Sequence, residues 1–397
     1  MIRGLLAMFV SLLTVAQSSH PQASPGGPGQ SFESFLAKVH EAQDSLSRSQ
    51  LITEYLTHAK VPVVEGNTAY FLYRGQGHAI AVPGELNHWN PSAALMHRVE
   101  GTDLFLRKEK IPMNGRVEYK LWVDSTWILD PLNSLRSVGG LGENSDLWMP
   151  EYAPPQDIVE NPSVSHGRID TIWFVSKALN RTHPVFVYVP QGEYKGKELP
   201  AVYVLDGGEY LSLGRMNIIL DNLISAHRIE PILGVFVDPR TDLHNSNTNY
   251  RMSDYGASDT FLLFLSQELI PFINKNYTAS DSASKRAIIG ASMGGLMATY
   301  TALKQPEQFV NCAAQSPAYF QADSAIIKFL RTVSKADINA YIGTGTIHDT
   351  EIEARLVSNL LEKRGARVHY TEFPEGHNWT NWRARIREIL EYFFPAR

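Results

Sequence analysis

Gly290-Ala291-Ser292-Met293-Gly294-Gly295 carries the pattern Gly-x-Ser-x-Gly. A serine hydroxyl is a weak nucleophile until a base takes its proton. It must also stand clear of its own backbone, which a tight strand-to-helix turn achieves. Glycines let neighbouring backbone pass closely there, and the helix N-terminus turns partial positive charge toward the hydroxyl. The apolar run Arg286 to Gly290 predicts the strand and Gly294 to Lys304 predicts the helix. Ser292 is therefore the candidate nucleophile. A glycine-rich turn with an idle serine is the alternative, and the flanking elements weigh against it.

The base for such a serine is expected late in the chain, after the last strand. Glu372-Phe373-Pro374-Glu375-Gly376-His377-Asn378-Trp379 follows a strand predicted over Val368 to Phe373, which makes His377 the candidate base. Among 13 histidines, it has both the position and the Gly-His context. His348 precedes the final strand and fits less well. An acid is expected between serine and histidine, after the preceding strand. Asp349 is preferred and Glu351 is the runner-up. Either could instead be an acid at the N-terminus of the helix starting near Ile352, where the dipole favours negative charge. A dyad without an acid is the third option. Two backbone donors should stabilise the tetrahedral intermediate. One is the N–H of Met293; the other is Gly207 or Gly208, in the loop Asp206-Gly207-Gly208-Glu209-Tyr210. Cys312, the only cysteine, lies in the apolar run Phe309 to Ala314 and reads as a buried strand residue rather than a nucleophile.

These residues need elements to hold them. Strand-like runs at Val185 to Val189, Ala201 to Leu205, Ile232 to Val237, Arg286 to Gly290, Ile338 to Ile342 and Val368 to Phe373 alternate with helices. The helices are predicted over Thr260 to Asn276, Gly294 to Lys304, Ile352 to Arg364 and Arg383 to Phe393. Apolar strands alternating with helices mean an α/β fold, a mainly parallel sheet covered on both faces. Residues 165–397 are assigned to it. Residues 66–152 are different, with short strand-like segments at Ala69 to Tyr73, Ala79 to Val82, Leu104 to Leu106 and Val117 to Val123. Turn residues such as Pro83-Gly84 and Asn114-Gly115 separate them, which predicts a small immunoglobulin-like β-sandwich. A proline-rich stretch from Pro150 to Pro162 links the two regions. Phe32 to Lys60 has helical spacing within the 19–65 segment. Its role is read as that of a structural spacer.

Met1-Ile2-Arg3 followed by an apolar stretch from Gly4 to Val15 and the small residues near Ser18 reads as a signal peptide over residues 1–18. That stretch is too short to span a bilayer. The expected location is secreted or periplasmic, with no membrane attachment after cleavage. His20 to Ser31 reads as a flexible linker. The net charge of −5 gives no basic field for nucleic acid. No histidine and carboxylate spacing suggests a metal site, and no cofactor is implied.

Leu205 to Gly208, Arg251-Met252-Ser253-Asp254-Tyr255, Gly290 to Gly295, and Glu375 to Trp379 with Trp382 together resemble the putative-esterase family. That family groups enterochelin-type siderophore esterases, feruloyl and acetylxylan esterases and S-formylglutathione hydrolases. The resemblance implies an α/β-hydrolase fold and a serine carboxylic ester hydrolase. Arg251 and Trp379, within these motifs, are read as substrate contacts. Asp254 departs from the glutamate common there. The sandwich resembles the early-set domains of branching enzymes and glycogen-binding kinase subunits through Gly84 to Trp89, Tyr119 to Trp127 and Asp130 to Asn133. Two tryptophans and a lysine contact sugar in glycan-binding members, and the matching positions are Trp89, Trp127 and Lys120. Packing of the sandwich or lining of the catalytic mouth is the alternative for them.

Two substrate classes follow: an acyl ester of a carbohydrate, of feruloyl or acetyl type, and a catecholate siderophore ester. A glycan-binding protein with an inert hydrolase half is the reading from another class. The intact order serine, acid, histidine argues against it.

Overall fold

The computed structural model describes residues 31–194, 196–242 and 248–396. The signal peptide read over residues 1–18, and nearly all of the linker after it, lie outside the described residues. Among the described residues no helix is long and apolar enough to cross a membrane.

Among the described residues two helices, Phe32–Glu41 and Ser45–His58, come first. Their N-caps are Ser31 and Asp44, whose side chains accept from the backbone of Ser34 and Ser47. The apolar spacing seen in the sequence becomes a packing face. Phe32, Phe35, Val39 and Ile52 are buried together with Val63, Tyr70, Leu72 and Leu104 of the β-region. The helices therefore cover one face of that region.

Three small antiparallel sheets of four, three and three strands follow. They enclose a second core that includes Phe71, Ile80, Phe105, Val117, Tyr119, Leu121 and Leu147. Val117 to Val123, expected as one strand, is two. Arg116–Tyr119 and Leu121–Val123 pair in different sheets. The break falls at Lys120, whose N–H donates to Pro83 O at 2.9 Å. Strands that change sheet need such a corner. The hairpin Arg136–Gly139 with Gly142–Trp148 was not expected. Its buried residues include Ser137, Ser145 and Asp146, so hydrophobic alternation could not reveal it.

The catalytic half is built on an eight-stranded sheet. Its strands are β1 (Arg168–Ser176), β2 (Arg181–Val189), β3 (Ala201–Leu205), β4 (Leu233–Val237), β5 (Arg286–Ala291), β6 (Asn311–Gln315), β7 (Asn339–Gly345) and β8 (Arg367–Phe373). The spatial order is β1-β2-β4-β3-β5-β6-β7-β8, with only β2 running against the rest. Strands β3, β4, β5 and β6 are buried at every residue, as a sheet covered on both faces requires. This is the α/β-hydrolase arrangement.

Helices α1 (Met293–Lys304), α2 (Glu351–Lys363) and α3 (Trp379–Phe393) follow β5, β7 and β8. The helix expected over Thr260 to Asn276 changes pitch in its middle. Asp259–Leu263 and Ile270–Tyr277 are α-helical, and Phe264–Leu269 between them is π-helical. There the N–H of Ile270 donates to Leu265 O, five residues back. Pro271, without an N–H and with a ring that crowds the preceding turn, accounts for the widened turn.

Candidate active site

Five loops leave the C-terminal ends of β3, β5, β6, β7 and β8 at one edge of the sheet. Parallel sheets of this kind bind ligands at that edge. The loops bring Asp206 and Gly207, Ser292, Ser316, Asp349 and His377 to the same end of the molecule.

Ser292 is the N-cap of α1, with φ 57° and ψ −118°. This is a conformation that residues with a Cβ rarely adopt. The chain accepts it because α1 must start at once. A Cβ at Gly290 would lie 2.3 Å from the carbonyl of Gly294, so only glycine lets strand and helix approach this closely. The Ser292 N–H donates to Gln315 O at 2.8 Å and ties the turn to β6. The Gln315 side chain accepts from Tyr210 Oη and donates to Trp382 O, both at 2.6 Å. The N–H of Met293, the first residue of α1, has no acceptor inside the helix.

His377 Nδ1–H donates to Asp349 Oδ1 at 2.7 Å. This leaves Nε2 as the free ring nitrogen. The Asp349 side chain is fully buried, whereas that of His377 is 37% exposed. Asp349 Oδ2 accepts from Ser316 Oγ at 2.6 Å, from the N–H of Gly345 at 2.6 Å and from Thr344 Oγ1 at 3.3 Å. Three donors on one oxygen hold the carboxylate still while the other faces the imidazole. Ser316 Oγ in turn accepts from Trp382 Nε1 at 2.9 Å, and the Trp382 ring meets His377 edge-on at 5.0 Å. Ser316 has no signature in the sequence beyond its place after β6. Trp382 stood in a family motif without a role. Glu351 is the first residue of α2, a position the helix dipole favours for an acid.

The glycine pair after β3 is now distinguished. The Gly208 N–H donates to Asp238 Oδ2 at 3.0 Å, so it is taken. Gly207 opens the short helix Gly207–Ser212, its backbone hard against Phe236 and Val237 of β4.

Arg251 was expected to touch substrate. Its guanidinium donates to both carboxylate oxygens of Asp206, at 2.8 and 2.9 Å, and to Ala291 O at 3.0 Å. It locks the loop after β3, where Asp206 has φ 59°, to the residue before the serine. Burial raises the Asp206 carboxyl above its usual range, against the pull of Arg251. Asp254, the departure from the family motif, pairs with Arg181. Trp379 was the other expected substrate contact. It is buried, with its ring edge-on to Tyr210 at 5.1 Å and to Trp382 at 5.0 Å. As the first residue of α3, it is turned inward onto the sheet.

In the β-region, Trp127 lies in the strand Thr126–Ile128 opposite Trp122 and is exposed. Lys120 occupies the corner between sheets, and Trp89 follows the turn Glu85–Asn87 with φ 58°. Both are half-buried. Cys312 sits within β6, where burial pushes its thiol up to about 12, so it is inert. Among the described residues no group of three or more His, Cys, Asp or Glu is placed to hold a metal ion.

Comparison with known proteins gives a consistent picture. The family model described as "Putative esterase" matches residues 176–393. The iron(III) enterobactin esterase of Escherichia coli is 26% identical over 344 residues, covering 77% of this chain and 82% of that protein. An endo-1,4-beta-xylanase/feruloyl esterase of Xylanibacter ruminicola is 30% identical over 204 residues, 48% of this chain and 27% of that longer protein. Among solved structures, the enterobactin esterase of Shigella flexneri superposes with a TM-score of 0.67 at 21% identity. It covers 82% of this chain and 92% of that one, a likeness of fold.

Proposed function

The chain belongs to the family described as "Putative esterase" and is a carboxylic ester hydrolase, and from that premise we propose that it works through an acyl-enzyme on Ser292. The observation that carries this reading is the Asp349–His377 hydrogen bond at the sheet edge where β5 delivers Ser292. Ser292 Oγ attacks the ester carbonyl and passes its proton to His377 Nε2. Asp349 keeps Nδ1 protonated and stabilises the imidazolium. The N–H groups of Met293 and Gly207 face the developing oxyanion. The tetrahedral intermediate collapses with loss of the alcohol, which takes the proton from Nε2. Water, deprotonated by the same nitrogen, then attacks the acyl-enzyme, releasing the acid and restoring Ser292. The inert-hydrolase reading has little support, since serine, acid and histidine all stand at one edge.

For the substrate, two readings each have a specific observation. A catecholate siderophore ester is supported by the enterobactin esterase match, which extends over 77% of this chain and so beyond the catalytic half. An acyl ester of a carbohydrate is supported by the match to the xylanase/feruloyl esterase and by Trp127, an exposed aromatic residue of the kind that stacks on sugars. One purified sample assayed on an aryl acetate, methyl ferulate and a catecholate trilactone, with Ser292→Ala beside it, tests both levels. All ester cleavage should vanish in the variant. Preference among the three esters chooses the class. In the carbohydrate reading, Trp127→Ala raises KM on a feruloylated polysaccharide and leaves methyl ferulate unchanged.

Export rests on the Gly4 to Val15 stretch. Mass spectrometry of protein recovered outside the cytoplasm should give a chain beginning near residue 19; recovery of the full-length chain from the cytoplasm would overturn it.

A further inference from the structure

The β-region reaches into the loop that carries the histidine. Asn378, the residue after His377, is the N-cap of α3, and its Oδ1 accepts from the N–H of Asn381 at 2.9 Å. The same oxygen accepts from Arg116 Nη1 at 3.1 Å, and Asn378 Nδ2 donates to Glu85 Oε1 at 2.5 Å. Arg116 and Glu85 both belong to the β-region. Glu85 Oε2 accepts from the N–H of Glu118 at 2.8 Å, which fixes its carboxylate at both ends.

The grip continues on either side of the histidine. The N–H of Arg116 donates to Pro374 O at 3.0 Å. Glu85 lies so close over Gly376 that a Cβ there would stand 2.3 Å from Oε1. Pro374, Gly376 and Asn378 are thus all held from outside the hydrolase sheet. The acid loop is treated alike. Ile347 is buried in the core of the β-region, and His348, beside Asp349, meets Leu86 O through Nε2 at 3.2 Å. Ile347 N–H also donates to Glu375 O at 3.1 Å, joining the two loops.

We propose that Glu85, Arg116 and Asn378 form a positioning cluster by which the β-region sets the place of His377 for reaction with Ser292. This rests on the acyl-enzyme reading above. The composition of the cluster fits positioning better than adhesion. Arg116 is fully buried and meets Glu118 and Asp146 as well as Asn378. A contact whose task was only to join two regions would be as stable or more so if apolar, because buried charges lose their hydration. Charged and amide groups instead impose direction and register, which a histidine loop needs. None of the three cluster residues occupies a step of the acyl-transfer chemistry; each acts through the backbone around His377.

Two variants separate positioning from folding. Asn378→Ser retains an N-cap side chain for Asn381 and removes both links to the β-region. Glu85→Gln is isosteric and cannot accept from Asn378 and Glu118 at once. Each is assayed well below its melting temperature on an ester that the parent cleaves. We expect kcat to fall about tenfold or more with KM within about threefold, since a misplaced base costs rate rather than binding. Labelling of Ser292 by a fluorophosphonate should slow by a similar factor, because it needs the same base. The double variant should be little worse than either single one. A parent that is not labelled at Ser292 would sink the acyl-enzyme reading itself. A labelled parent whose folded variants keep kcat and labelling rate within about twofold overturns the positioning role alone. So does a loss carried wholly by KM.

Discussion

The nucleophile turn and the histidine loop stand at the same edge of one sheet, yet they are held in different ways. The turn is built from neighbours. Gly290, Ser292 and Gly294 lie within one strand-turn-helix unit, and its outside ties (Ser292 N–H to Gln315 O, Ala318 N–H to Ser292 O and Arg251 to Ala291 O) come from no more than 40 positions away. The histidine loop depends on residues far away in the chain. Arg116 and Asn378 are 262 positions apart, and Glu85 and Asn378 are 293. A strained turn can be specified by local stereochemistry. The histidine loop has local ties of its own, such as Asn381 Nδ2 to Gly376 O at 3.0 Å, and here a second folded region adds to them.

The largest expected effect treats the two regions as one device. Ser292→Ala and His377→Ala should each lower kcat by roughly 10⁴-fold or more, and the double variant should be no worse than about either alone. Multiplying losses, measured on any ester the parent cleaves, would mean that turn and loop do not act together. Next comes the acid. Asp349→Asn should cut kcat by about 10²–10⁴-fold with little change in Tm. Glu351→Gln, at the start of α2, should leave turnover intact and remove about 0.3–1 kcal/mol of stability. Turnover and melting measured on both variants test this; exchanged behaviour would move the acid to Glu351.

Gly290→Ala probes the turn from inside. The obstructing atoms are backbone, so the strand and helix must separate, at a cost of about 1–3 kcal/mol or more. A chemical denaturation curve should show it, together with loss of activity; an unchanged midpoint would show that the close approach is dispensable. Trp382→Phe probes the loop side more gently. It removes one donor to Ser316 Oγ and keeps the ring against His377. The net worth of one such hydrogen bond is about 0.5–1.5 kcal/mol, so kcat should fall by about two- to tenfold. A larger fall would make Trp382 a principal support of the acid. The smallest effect compares two inactive proteins. Ser292→Gly should be more stable than Ser292→Ala by about 1 kcal/mol, because only glycine is at ease at φ 57° and ψ −118°. Equal Tm values would show that the turn stores no strain.

The same contrast runs through what could be read from the residues in order. Alternating apolar strands and helices, the Gly-x-Ser-x-Gly turn at Ser292 and the position of His377 after the last strand all follow from short-range causes. Those causes are side-chain period, glycine stereochemistry and chain order, and each is written within a few residues. The segments that misled are those where burial did not follow hydrophobicity. Ser137, Ser145 and Asp146 are polar and inside, and the stretch from Val117 to Val123 bends between sheets at Lys120.

Partner choice was decided only by the fold. Asp349, not Glu351, meets His377, because the loop after β7 turns its carboxylate onto Gly345 N–H and Ser316 Oγ before α2 begins. The Gly208 amide is taken by Asp238, Arg251 by Asp206, and Trp379 by the packing of Tyr210 and Trp382. Glu85 and Arg116 gave no sign of serving the histidine, since nothing near them in the chain refers to residue 378. A residue type and its local spacing determine what a group can do. Which group it meets depends on which distant surfaces the packed core brings within hydrogen-bond reach, and that exists only once the chain has folded.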